Sequence, residues 1–169
     1  MHGTYDPHEA NKFVCAFDNG ATWGKAIVGT VSGTTSSFGS LSQFSSSSTG
    51  YCEISFDPNT AGKFLICYQD QYNSGTGTSL GRAIVGTLSG SSVSFGSPVI
   101  FNTDGDSATH SVCYDPLNAG KLVVTYNRGT LRAKVGSVSG TTPSFGTEVV
   151  FSSENNNTFL NTAIDNITG

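Results

Sequence analysis

Charge is scarce in this chain. Only 12% of the 169 residues are Asp, Glu, Lys or Arg, and the formal net charge is −4. That balance offers no basic footprint for nucleic acid or for an anionic membrane surface, so neither partner is expected. No apolar run approaches the roughly 18 residues of a membrane-spanning helix. No charged-then-apolar leader opens the sequence, so no secretory signal is expected, and export would need another route, such as a particle or a processed fragment. Helical amphipathicity is missing too, because every window with a plausible apolar stripe is broken by glycine. Histidine occurs only at His2, His8 and His110, and Trp23 is the one tryptophan. General-base and metal chemistry therefore have little to work with, and no cofactor or metal is expected.

The four cysteines do not settle the redox compartment. Cys15 and Cys67 fall in equivalent segments one position apart, and Cys52 and Cys113 are likewise out of phase. A disulfide ladder would repeat in phase. A Cys52–Cys67 bridge across the turn at 57–62 stays open, but small buried side chains fit better.

What is abundant is glycine, serine and threonine, together with 11% aromatics, a level that argues for a packed core and against disorder. These residues are arranged in a repeat. Ala26-Ile27-Val28-Gly29-Thr30-Val31-Ser32-Gly33 recurs as Ala83-Ile84-Val85-Gly86-Thr87-Leu88-Ser89-Gly90 and as Ala133-Lys134-Val135-Gly136-Ser137-Val138-Ser139-Gly140. Each copy is followed by Ser-Phe-Gly, at Phe38, Phe95 and Phe145. An Asp-Pro anchor stands six residues before a lysine each time: Asp6 before Lys12, Asp57 before Lys63 and Asp115 before Lys121. A degenerate fourth anchor is Ala163-Ile164-Asp165. Successive anchors lie 51, 58 and 50 residues apart. Such a period marks a repeat architecture. The chain reads as a single repeat domain over 1–169, with repeats at about 5–55, 56–113 and 114–165.

Each repeat reads as four short strands. The first ends at Asp-Pro, a turn with a closing Gly leads to the second, a loop of variable length leads to the third, and a tight Ser-Gly turn leads to the fourth, at 93–101 in the second repeat. Phe64, Ile66 and Tyr68 point one way and Leu65 and Cys67 the other, so both faces of that sheet are apolar and must be covered. The expected fold is all-β: three four-stranded antiparallel repeats packed as β-propeller blades, half a ring, with a β-trefoil as the alternative. Phe38, Phe95, Phe145, Phe44, Phe101 and Phe151 are expected between the sheets. Three blades do not close a ring, so a homo-oligomer or neighbouring subunits are expected to complete it.

The variable loops and the inter-repeat linkers should open at one end. They carry the candidate ligand-binding residues Asp18, Asn19, Trp23, Asp70, Tyr72, Asn73, Asn127 and Arg128. Amides and carboxylates beside aromatic rings suit sugar hydroxyls, which need paired donors and acceptors and a flat apolar platform. Other motifs weigh less. Asp18-Asn19-Gly20-Ala21-Thr22-Trp23 resembles the Asp-box of sialidases, a structural turn, but the sialidase arginine triad has no counterpart. Gly77-Thr78-Ser79-Leu80-Gly81 fits a nucleophile elbow without its strand–turn–helix setting. Asn102-Thr103-Asp104-Gly105-Asp106 lacks the calcium-loop spacing. Glu53 and Glu148, on predicted strands, mark no opposed catalytic pair. Asn156 and Asn166 open glycosylation sequons.

Taken together, the Tyr-Asp-Pro, Ala-Ile-Val-Gly-Thr-x-Ser-Gly and Ser-Phe-Gly elements resemble a repeat of phage virion proteins of the tail-fibre type and of bacterial surface β-propeller-like proteins. The resemblance implies a non-enzymatic module at a virion or cell surface, extracellular, that binds a glycan or cell-surface receptor. A structural component of a particle or filament is the alternative, and a sialidase-like hydrolase fragment a remote one.

Overall fold

The computed structural model describes residues 1–18, 23–70, 79–103, 108–154 and 161–163, and every regular element among them is a β-strand. They form three antiparallel sheets of five strands. The first holds β1 (His2–Tyr5), β2 (Lys12–Asp18), β3 (Gly24–Ser32), β4 (Thr35–Phe38) and β5 (Ser42–Ser45). The second holds β6 (Thr49–Phe56), β7 (Lys63–Asp70), β8 (Leu80–Ser89), β9 (Ser92–Phe95) and β10 (Val99–Asn102). The third holds β11 (Ala108–Tyr114), β12 (Lys121–Asn127), β13 (Leu131–Ser139), β14 (Thr142–Phe145) and β15 (Val149–Ser152).

The expected fourth strand is thus split in two. In the second sheet β9 pairs with one half of β8, at residues 86–89, and β10 with the other, at 81–83. The break falls at Ser-Phe-Gly. There the Gly39, Gly96 and Gly146 amides turn inward to donate to Val28, Val85 and Val135 at 2.9, 3.0 and 2.9 Å. The turn between the first two strands repeats as faithfully. Asp6, Asp57 and Asp115 accept at Oδ1 from the amides of His8, Asn59 and Leu117, closing an Asx turn in each sheet. The residue before each lysine has positive φ: Asn11 at 68°, Gly62 at 67° and Gly120 at 70°. Asparagine is the residue that tolerates this conformation best after glycine, which is why the first repeat manages without one.

The sheets stack face on face. One face of the first sheet (Val14, Ala16, Ala26, Val28, Phe44) packs on the Ile54, Phe64, Ile66, Tyr68 and Ile84 face of the second. The opposite face of the second (Leu65, Cys67, Ala83, Val85, Phe101) packs on Val112, Leu122, Val124 and Tyr126 of the third. Two-sided burial of the middle sheet follows directly from its uninterrupted apolar strand, since β7 is buried from Phe64 to Asp70. The aromatic contacts recur in register: Phe44 to Tyr68 and Phe101 to Tyr126 both span 5.2 Å between ring centroids. Phe44 to Phe95 and Phe101 to Phe145 span 5.8 and 5.6 Å.

Of the six phenylalanines expected between sheets, Phe44 and Phe101 are buried, and Phe95 and Phe145 are half-buried against the cores. Phe38 and Phe151 are instead 57% and 52% exposed, because they lie on the outer faces of the two end sheets, which no other sheet covers among the described residues. All four cysteines are free, and burial raises each thiol above its ordinary pKa, Cys52 to about 12. They behave as small apolar fillers and not as nucleophiles.

Neighbouring sheets approach so closely at the Ser-Phe-Gly break that a side chain has no room. A Cβ on Gly39 would stand 2.1 Å from the carbonyl oxygen of Ser91, and one on Gly96 2.3 Å from that of Thr141. At Gly146 the nearest atom is Val135 O at an ordinary 3.5 Å. Gly96→Ala is therefore expected to destabilise the dilute chain by about 1–3 kcal/mol in urea unfolding. Gly146→Ala at the equivalent position should leave the midpoint unchanged.

His110 gives the fold a pH dependence. It is buried in β11, its Nδ1 lies 3.1 Å from Tyr51 O, and its ring stands edge-on to Phe101. Burial lowers its pKa to about 4, from 6.5 when unfolded, against a smaller opposing contribution from the Tyr51 carbonyl. The unfolded chain thus takes up a proton first. The stability from this group is intact above pH 6.5 and declines as pH falls toward 4, by at most about 1.4 kcal/mol per pH unit. His2, beside Glu53, shifts upward and titrates with the opposite sense. Urea midpoints at pH 7, 5.5 and 4.5 should fall more steeply for the parent than for His110→Gln.

Candidate functional site

Strand pairing brings the variable loops and the linkers to one end of each sheet. Asp18 pairs with Gly24 and Gly24 with Ser45, while Thr49 and Leu80 flank Asp70. Asp18, Asp70 and Asn127 are the last residues of β2, β7 and β12, and Arg128 follows directly. Trp23 stands just before β3, 43% exposed. Asn19, Tyr72 and Asn73 lie outside the described residues, as do most of the Asp-box-like stretch, both sequons, Asp104 and Asp106. Ser79 precedes β8 and Leu80-Gly81 lies within it, so the Gly-x-Ser-x-Gly stretch runs into a strand. Among the described residues no cluster of His, Cys, Asp or Glu has the arrangement of a metal site.

The chemistry at this end is set by a position that loop reading missed. In each sheet, an aromatic residue on the second strand pairs across with a cation on the third: Phe17 with Lys25, Tyr68 with Arg82 and Tyr126 with Arg132. Each aromatic stands five residues after the anchor lysine and each cation four before the anchor glycine. Those offsets were the available signal. What varies is the cation's partner. Lys25 Nζ sits 5.6 Å from the centre of the Trp23 ring, a cation–π contact. Arg82 Nε donates to Asp70 Oδ2 at 2.6 Å. Arg132 donates to Glu148, which also accepts from the Tyr126 hydroxyl.

Glu148 was expected on a strand and stands instead in the break before β15, which lets its carboxylate reach back over Tyr126 and Arg132. Burial works to raise its pKa, yet the Tyr126 hydroxyl and Arg132 together outweigh burial and hold it below the ordinary value. The Tyr126 phenol moves upward, through burial first and then the neighbouring carboxylate. Tyr68 is pushed up to about 12, mainly by burial. Both tyrosines are therefore neutral hydroxyl donors at physiological pH. Arg128 Nη1 adds a 3.4 Å contact to Asn102 Oδ1 and carries its charge toward Tyr126 and Glu148.

Between the first and second sheets this end opens into a cleft of about 230 Å³. Ser45, Ser46 and Ser47 form one wall, Tyr68, Asp70 and Arg82 the other, with Phe44 and Pro98 bounding it. Asp70 is 6% exposed, and its Oδ1 is buried with no hydrogen-bond partner among the described residues. A small cleft with hydroxyls on one side and an acid–guanidinium pair on the other offers both donors and acceptors to a polar ligand.

No protein family, curated protein or solved structure matches this chain.

The Asp70–Arg82 pair also bears on stability, since the two side chains are 9% and 26% exposed. Asp70→Asn leaves a partly desolvated guanidinium without its counter-charge. It is expected to cost about 1–3 kcal/mol, less than a fully buried pair because Arg82 retains solvent. A double-mutant cycle with Arg82→Gln in urea should return a favourable coupling energy, and additive effects would show that the pair acts as two independent surface groups.

Proposed function

We propose that this chain is a non-enzymatic binding module of β-propeller type, its three sheets acting as blades, which holds a glycan or glycan-bearing receptor at the loop end. The observation that carries this reading is the repeated aromatic–cation pair with a partner that changes from sheet to sheet. A fixed frame with exchangeable polar groups is how repeat proteins vary recognition on a common scaffold. Carboxylate and guanidinium groups complement vicinal hydroxyls, the serine wall adds adaptable donors and acceptors, and exposed Trp23 supplies a flat face. Stacked sheets with two-sided burial favour blades over the barrel of a trefoil. The resemblance to phage and bacterial surface repeats accords with an extracellular or virion-surface setting.

The test is a glycan array with the parent protein, followed by calorimetric titration of the glycan held best. Arg82→Lys keeps the charge but loses the fork, and is expected to weaken that glycan at least tenfold while the melting temperature stays within a few degrees. Trp23→Ala should weaken it with no effect on melting. A parent that retains no glycan on the array, or variants that bind as the parent does, would overturn the reading.

A further inference from the structure

The two outer faces are not alike, and each matches a face already buried inside the chain. The outer face of the first sheet presents Phe17 and Phe38 at the positions that Tyr68 and Phe95 hold in the second sheet and Tyr126 and Phe145 in the third. The outer face of the third sheet presents Phe151, the counterpart of Phe44 and Phe101, beside Val135 and Val149, which are 59% and 60% exposed. At both internal interfaces the Phe44 or Phe101 ring seats between the other two rings, at 5.2 Å from the tyrosine and 5.6–5.8 Å from the phenylalanine. Phe151 is the same ring without its two neighbours. Gly146 tells the same story in backbone: Gly39 and Gly96 each press on the hairpin turn of the following sheet, and among the described residues Gly146 has no turn against it.

We propose that the missing neighbour is a second copy of this chain, docked head to tail. Its first sheet covers the outer face of the third, so that Phe151 enters between Phe17 and Phe38 of the incoming copy and Gly146 meets the turn at Gly33-Thr34. The chain itself demonstrates this contact twice, which is what selects a second copy over an unrelated partner. The proposal rests on sheet packing and is independent of what the loop end binds. Among the described residues a single short segment stands on this face. Thr162 lies on the inner part of this face, its amide donating to Ser111 Oγ at 2.8 Å and its hydroxyl 2.7 Å from that of Thr125. The incoming β1 takes that place and displaces residues 161–163. Because the two faces differ, the contact is heterologous, and two copies with six sheets are a number within the range of closed propellers.

Sedimentation equilibrium of the full chain across micromolar concentrations reads the result. The parent is expected at twice its 17.5 kDa mass. Phe38→Arg and Phe151→Arg change exposed rings, so each should melt as the parent does when both are diluted to monomer, yet sediment as a monomer where the parent is a dimer and lack its rise in melting temperature with concentration. Gly146→Ala should weaken association at least tenfold with the melt of the dilute monomer unchanged. An equimolar mixture of Phe38→Arg and Phe151→Arg restores one intact pair of faces and should recover a dimer, which an isologous contact between like faces would not do. A monomeric parent at about 100 μM, self-association surviving in either arginine variant, or a mixture that stays monomeric would overturn the proposal. The first of these outcomes would assign the faces to a different protein.

Discussion

Everything in this molecule depends on the middle sheet being apolar on both sides. Among the described residues no helix shields either face, so each sheet is covered only by another sheet. Phe64, Ile66 and Tyr68 serve one interface, and Leu65, Cys67 and Val85 serve the other. A fully buried side chain of this size contributes about 1.5–3 kcal/mol, and the sum must outweigh an ordering cost of about 1–2 kcal/mol per residue. Consecutive apolar positions are the only way a strand of this length feeds two interfaces at once. The scarcity of charge has the same origin, since most strand positions are needed for packing. Gly39 and Gly96 fit as well, because backbones that pack this closely leave no space for Cβ.

That constraint pushes polar chemistry to the strand ends. Toward the ends of β7 and β12 the buried residues turn polar, and Tyr68 and Tyr126 contribute a ring to the interface and a hydroxyl to the loop end. A cation directly across the strand is half-desolvated by the stack and needs a partner close by, and each sheet supplies a different one: a ring for Lys25, a short carboxylate for Arg82, a longer one reaching back across the break for Arg132. The pairs are short and partly shielded from water, where an opposite charge counts for more than it would on an open surface. A structural requirement of the repeat thereby creates three chemically distinct polar sites at one end.

The residues show why some of this was legible and some was not. Two-sided burial followed from the strand pattern alone, and a turn after each first strand followed from Asp-Pro, since both are local properties. Phe38 and Phe151 were misplaced because an in-phase position reveals the role of a residue within its own repeat, while burial is decided by whether another sheet lies beyond. The split of the fourth strand was hidden because Val99 and Phe101 look like a continuation of Val93 and Phe95. Only the inward turn of the Gly96 amide separates them. At the site, attention to loop composition favoured Asp18, Trp23, Asp70 and Arg128. It passed over Arg82, Arg132 and Glu148, which sit on or beside strands and are brought together by cross-strand register. Counting five from the anchor lysine and four back from the anchor glycine recovers two of the three members. Glu148 has no in-phase equivalent to reveal it.

A stack held together by unlike faces has a property that a contact between like faces lacks: adding a repeat consumes one open face and creates another. Repeat proteins commonly end this by placing polar outer faces on their terminal repeats. Here the first sheet keeps Tyr5, Phe13 and Phe38 on its outer side, and the third keeps Val135, Val149 and Phe151. Neither has been converted to a cap, although surface positions of this kind accept charge at little cost to a lone chain. The rings even stack on one another within the open face, Tyr5 on Phe13 at 5.6 Å and Phe13 on Phe38 at 6.0 Å, so the face is ordered before anything covers it. Ordering in advance lowers the entropic cost of docking, since the side chains have little freedom left to lose. The features that hold the middle sheet between its neighbours are thus already set out, in register, on the two faces that no other sheet covers among the described residues.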